Sequence, residues 1–126
     1  MIEVALRQEL IVLVPEFNNQ IYPTNAPETS TKPYLVYTRL NTQRPKTFEG
    51  YTDKQALTFM LSIMATEYPE MKSLTKKVED FLLSVAKTSI GTNQIYIEDI
   101  NINNVSEQYE HALGVNRGII DFTIYY

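Results

Sequence analysis

One stretch of the chain has the residue types of acid–base or metal chemistry. It is EQYEH, where Glu107, Glu110 and the only histidine, His111, fall within five positions. Carboxylates beside an imidazole can hold a divalent cation or activate water, so the chemistry at issue is carboxylate-based or metal-dependent hydrolysis. The spacing matches no zinc signature. In an extended segment Glu110 and His111 point to opposite faces and cannot share a small ion, which leaves them as a solvated polar strand or loop. The pairs Glu79–Asp80 and Glu98–Asp99 are adjacent in sequence. On a helix or strand that spacing splays two carboxylates apart, as solvated surface. No catalytic residue and no metal ligand is assigned.

Other chemistries lack their material. The sequence contains no GxGxxG, GxxxxGK[ST] or GxSxG, and only four glycines to build a phosphate-cradling loop. The absence of cysteine removes disulfides, thiolate zinc sites, iron–sulfur clusters and a cysteine nucleophile together. The chain therefore reads as non-enzymatic and without a cofactor. Its net charge is −4, and the eleven basic residues are scattered, which argues against wrapping a phosphate backbone. No apolar run approaches the roughly 20 residues of a membrane-spanning helix. The opening MIEVALRQELIVLVPEF is interrupted by Glu3, Arg7 and Glu9 and carries no cleavage site, so a cytoplasmic protein without membrane contact is expected.

With 126 residues, 44% of them apolar, the chain is expected to form a single domain, 1–126. Residues 2 to 14 predict a helix that buries Ile2, Ala5, Leu6, Leu10 and Leu13 and ends at Pro15, although Ile11, Val12 and Val14 pull towards strand. PYLVYTRL reads as a strand. ALTFMLSIMAT alternates, with Leu57, Phe59, Leu61, Ile63 and Ala65 on one face and Thr58, Met60, Ser62 and Met64 on the other. From Tyr68 the period becomes 3.6, with Met71, Leu74, Val78, Phe81, Leu82 and Val85 on one side of a helix. Pro69 fits its first turn, and Lys87 and Gly91 mark its far end.

Two more strands are expected from NQIYIEDININN, where Ile95 and Ile97 alternate, and from NRGIIDFTIYY. Val105 to Leu113 between them is left open, with a strand as one possibility. The order helix, strand, strand, helix, strand, strand predicts an α+β domain. Its mainly antiparallel sheet has about four to five strands, with both helices packed on one face.

Two polar connections, Glu16 to Lys32 and Asn41 to Lys54, are longer than such a domain needs, and long loops commonly meet partners. The first has Phe17, Ile21 and Tyr22 as anchors. Nine tyrosines without a tryptophan fit either strands or interfaces, since a tyrosine ring can be buried with its hydroxyl wet. Six polar or aromatic loop positions are chosen as interface residues: Tyr22, Arg44, Phe48, Glu49, Tyr51 and Asp53.

Several signatures occur in order: an N-terminal helix, IYPTNAPETSTKPYLVYTRL, FEGYTDKQALTFMLSIMATEYPEMKSLTKKVEDFL and a terminal NRGIIDFTIYY strand. Together they resemble the small tail-completion or head-to-tail joining proteins of long-tailed bacteriophages and prophages, relatives of the tail terminators. The resemblance spans nearly the whole chain. It implies a virion protein, assembled in host cytoplasm into a ring, typically a hexamer, at the head-proximal end of the tail; if assembly draws on ordering of the loops, the free subunit is expected to be monomeric. Its partners would be further copies of itself, the tail tube protein and the head connector, with DNA passing through without specific binding. The alternative is a small ligand-binding or regulatory α+β module with a pocket between helix and sheet.

Overall fold

The computed structural model describes the chain except residues 1, 18, 25–31, 44–45, 48–49, 52–54 and 112–113, and for 43, 46–47 and 50–51 it describes the backbone alone. Helix α1 (Ile2–Leu13) leads through a 3-10 turn (Pro15–Phe17) to the short strand β1 (Ile21–Pro23) and then to β2 (Tyr34–Gln43). A small ribbon, β3 (Lys46–Thr47) and β4 (Gly50–Tyr51), precedes β5 (Ala56–Ala65) and helix α2 (Tyr68–Val85). A second ribbon, β6 (Ser89–Ile90) and β7 (Ile95–Tyr96), precedes the long hairpin β8 (Asp99–Glu110) and β9 (Val115–Tyr125).

The main sheet has five strands in the order β1-β2-β5-β9-β8. All neighbours are antiparallel except β1, which runs parallel to β2. The fold is the expected α+β architecture with both helices on one face. Period-two alternation fixes that face: Leu57, Phe59, Leu61, Ile63 and Ala65 of β5 are all buried, next to Ile120, Phe122 and Ile124 of β9. Phe59 and Phe122 are register partners and stack at 5.6 Å. Over this surface α2 lays Met71, Leu74, Val78, Phe81, Leu82 and Val85, and α1 lays Ile2, Ala5, Leu6 and Leu10.

Two glycines set close approaches. Gly118 of β9 lies under α2, where an added Cβ would come within 2.0 Å of Thr75 Oγ1. Gly91, at φ +74°, turns the chain between β6 and β7 against α1, where a Cβ would lie 2.6 Å from that of Ala5. Helix α1 is also tied on both flanks. Arg7 donates to the carbonyls of Ile21 (3.0 Å) and Asn19 (3.2 Å), while Gln8 and Glu9 accept the amides of Thr92 and Gly91, each at 3.1 Å.

Several expectations need correction. Leu13 is exposed and Val14 takes the buried place, because the helix stops after Leu13 and the chain turns inward. The first connection contains the 3-10 turn and β1, with Phe17 and Ile21 fully buried, so these parts of it belong to the framework, and residues 25–31 lie outside the described ones. The second is strand to Gln43 and then a ribbon, with its remaining positions outside the described residues. Ile95 belongs to the β6–β7 ribbon and Ile97 to the core between ribbon and β8; the long strand starts only at Asp99 and continues through Glu110. Gly91 is a ribbon turn, whereas the chain leaves α2 through Ala86 and Lys87, the latter at φ 63°. Pro69 does sit in the first turn of α2, where a missing N–H leaves no donor unsatisfied.

Candidate assembly surfaces

The EQYEH residues are pulled apart by the sheet. Glu107 faces the helices, where it accepts hydrogen bonds from the Tyr68 hydroxyl (2.9 Å) and Lys72 (3.2 Å). Glu110, three residues further along the strand, faces the other side and accepts from Arg117 at 3.3 Å. His111 lies in the turn beyond, edge-on to the ring of Tyr109 at 4.8 Å. The two carboxylates cannot work on one substrate. Among the described residues, no group of three or more His, Cys, Asp or Glu is placed to hold a metal. The Tyr68 hydroxyl, and then Lys72, hold the Glu107 carboxyl below its ordinary value, and Glu107 in turn raises Lys72.

An open groove of about 320 Å³ lies between α2 and β8, lined by Lys72, Thr75, Lys76, Glu79, Val105 and Glu107, whereas the crevice between α1 and the sheet is filled. Leu6, Leu10, Tyr37, Phe59, Leu61 and Phe122 close around about 10 Å³. That is room for no more than one water. Burial pushes the Tyr37 hydroxyl upward, with Arg7 opposing and Glu3 reinforcing the shift. No described helix is long and apolar enough to cross a membrane.

Among the described residues, the other face of the sheet has no helix over it. There Arg117 donates to Ser62 Oγ through Nε (3.1 Å) and Nη2 (2.8 Å) and to Glu110, linking β5, β9 and β8. Thr58 and Thr123 are joined across β5 and β9 at 3.0 Å, and Asn103 donates to Thr123 Oγ1 at 2.9 Å. Half-buried Val36, Met60, Met64 and Ile119 surround these polar ties. The alternation of Thr58, Met60, Ser62 and Met64 is visible in sequence. The role of Arg117 is not, because it depends on the register of three strands.

Of the six interface residues chosen from sequence, Tyr22 is in β1, with its hydroxyl 3.4 Å from Gln20 Oε1 and its ring edge-on to Tyr34 at 6.5 Å. Tyr51 is on β4, opposite Lys46. Arg44, Phe48, Glu49 and Asp53 lie outside the described residues. Tyr22 sits beside Val36, whereas the ribbon follows Gln43 at the far end of β2. At the strand rise per residue that is roughly 20 Å along the sheet, so Tyr22 and the ribbon belong to different patches.

The sheet has two uncovered edges among the described residues. β8 has no strand beside its outer side. β1 runs along only Leu35–Tyr37 of β2, so Thr38–Gln43 has no outer neighbour either.

Comparison with known proteins gives a family and a fold. The family model described as tail completion protein gp17 matches residues 5–126. Among solved structures, a chain from the virion of a native gene transfer agent particle is similar at TM-score 0.73 and 14% identity, over 96% of this chain and 90% of that one. A second solved chain is similar at TM-score 0.52 and 10% identity, over 98% and 91% respectively. No curated protein matches the sequence.

Proposed function

Because this chain belongs to the tail completion protein gp17 family and so has a structural role in a phage tail, we propose that it completes the head-proximal end of the tail. In this reading the subunits form a ring, a hexamer in the virion, that terminates the tube and joins it to the head connector. The observation that carries the reading is the family match over residues 5–126. The packing between α1 and the sheet is consistent with it, since Leu6, Leu10, Phe59 and Phe122 leave no small-molecule pocket there.

The chain works through surfaces. Tyr22, Arg44, Phe48, Glu49, Tyr51 and Asp53 contribute to contacts with neighbouring subunits, the tube below or the connector above. Assembly takes place in the host cytoplasm. The free subunit is monomeric, and the ring forms on the tube as a template, with the cost of ordering contact segments met at that step. A net charge of −4 suits a conduit that DNA crosses without being held, since like charges discourage retention.

The test is electron microscopy of lysates from a parent phage or prophage lacking this gene, beside the complemented lysate. Separate DNA-filled heads and free tails are expected without the gene, and overlong tails if termination also fails. Normal virions without it would refute the reading.

A further inference from the structure

The two uncovered edges are unequal and complementary. β8 presents twelve residues, Asp99–Glu110, and on the opposite side β2 presents Thr38–Gln43 beyond the point where β1 stops at Pro23. An uncovered edge offers unpaired N–H and C=O groups to any further strand, and proteins that must stay apart commonly block it with lysine or proline. Neither edge carries lysine or proline; each has one β-bulge, at Ile102/Asn104 on β8 and Arg39/Asn41 on β2, which leaves Asn104–Glu110 and Asn41–Gln43 as regular edge beyond it.

Direction and charge both select the partner. β2, β5, β9 and β8 alternate in direction, so β8 runs opposite to β2. Copies that share one orientation around a closed ring therefore bring β8 of one beside β2 of the next in the antiparallel sense. The charges on β8 are all acidic, namely Asp99, Glu107 and Glu110, whereas the only charge on β2 is Arg39. Joining β8 to β2 opposes no like charges, while joining β8 to β8 sets acid against acid, less the share that Lys72 and Arg117 already neutralise on Glu107 and Glu110; Arg39 is itself paired with Glu3. Each edge also carries an exposed apolar side chain, Val105 on β8 (39% exposed) and Leu40 at the β2 bulge (54%).

We propose that β8 of each subunit pairs antiparallel with Thr38–Gln43 of β2 in a second copy of this chain, so that the main sheet runs on from subunit to subunit. This rests on the ring reading above and names the surface that closes the ring.

The natural absence of cysteine permits a direct test. The double variant Leu40→Cys/Val105→Cys complements the deletion, and purified particles are treated with a short bismaleimide. A second pair, Leu40→Cys/Asn103→Cys, covers a two-residue change of register. At least one pair is expected to give a ladder of covalent multimers, while each single variant stays monomeric. Dimers from Val105→Cys alone would overturn the proposal in favour of pairing between like edges. Monomers from both double variants, in particles whose heads and tails are joined and that contain the protein, would overturn it and leave the ring reading standing. Normal virions in the uncomplemented lysate would remove the ring reading and this inference with it.

Discussion

Gly118→Ala tests the packing of α2 on the sheet. The new Cβ would lie 2.0 Å from Thr75 Oγ1 and 3.2 Å from both Met71 Sδ and Thr75 Cβ. Thr75 is buried and its hydroxyl already points at Met71 Sδ, 3.6 Å away, so it has little room to turn. Forcing a methyl group into such a contact costs about 1–3 kcal/mol. Gly118 is outside the left-handed region, so alanine fits its backbone and recovers roughly 0.5–1 kcal/mol of chain entropy. The net expectation is a loss of about 1–2 kcal/mol. With a urea slope of about 2 kcal/mol per molar, the unfolding midpoint should fall by roughly 0.5–1 M. Thr75→Ala removes the nearest atom, so the double variant should be more stable than the sum of the singles predicts, by at least about 0.5 kcal/mol. An unchanged or raised midpoint for Gly118→Ala would refute the reasoning, as would strict additivity in the double variant.

Phe122→Ala, which removes one ring of the stacked pair with Phe59, should cost about 3–5 kcal/mol in urea unfolding; a loss below about 1 kcal/mol would show that the pair is not central to the core. The Glu107–Lys72 tie should depend on pH in two directions. The lowered Glu107 contributes stability that is present above its ordinary 4.5 and lost as pH falls through its folded value, and the raised Lys72 contributes stability that is present below 10.5 and lost as pH rises through its folded value. The midpoint gap between parent and Glu107→Gln should therefore narrow as pH falls from 7 towards 3, and an equal gap at both would contradict the assignment. Phe48→Ala with Tyr51→Ala should leave folding within about 1 kcal/mol yet impair joining of heads to tails, and a large destabilisation would instead make these side chains part of the core.

The sequence patterns that proved readable were those repeated over many residues. The switch from period two in Leu57–Ala65 to period 3.6 after Tyr68 located β5 and α2, and it identified the buried residues of each. Short elements gave no such signal. β1 has three residues and the ribbon strands two each, which is too few for alternation to stand out from loop composition. Phe17 and Ile21 were recognisable as anchors because an apolar side chain in a polar stretch needs burial, but nothing local indicated that Ile21 would pair in parallel with Leu35. On the surface side, adjacency in the chain indicated that Glu110 and His111 would not converge, and the structure places Glu110 at the end of β8 against Arg117 and His111 in the turn against Tyr109. The Arg117–Ser62–Glu110 link was hidden, because residues far apart in sequence meet only once three strands are in register. Tyr22 was expected among loop residues and is held in the sheet beside Tyr34.

The ties made by Arg7, Gln8 and Glu9 have a consequence for how the molecule opens. Three successive side chains of α1 reach to both flanks, one to the backbone at Asn19 and Ile21 and two to the amides at Thr92 and Gly91. Lifting the helix breaks both sets at once, and a partial lift gives up bonds without freeing the helix. Residues 2–13, 19–21 and 91–94 therefore form one local unfolding unit assembled from three distant parts of the chain. Their amides should exchange with solvent in step, and a contact made at the 91–94 turn should slow exchange at β1, on the opposite flank of the helix.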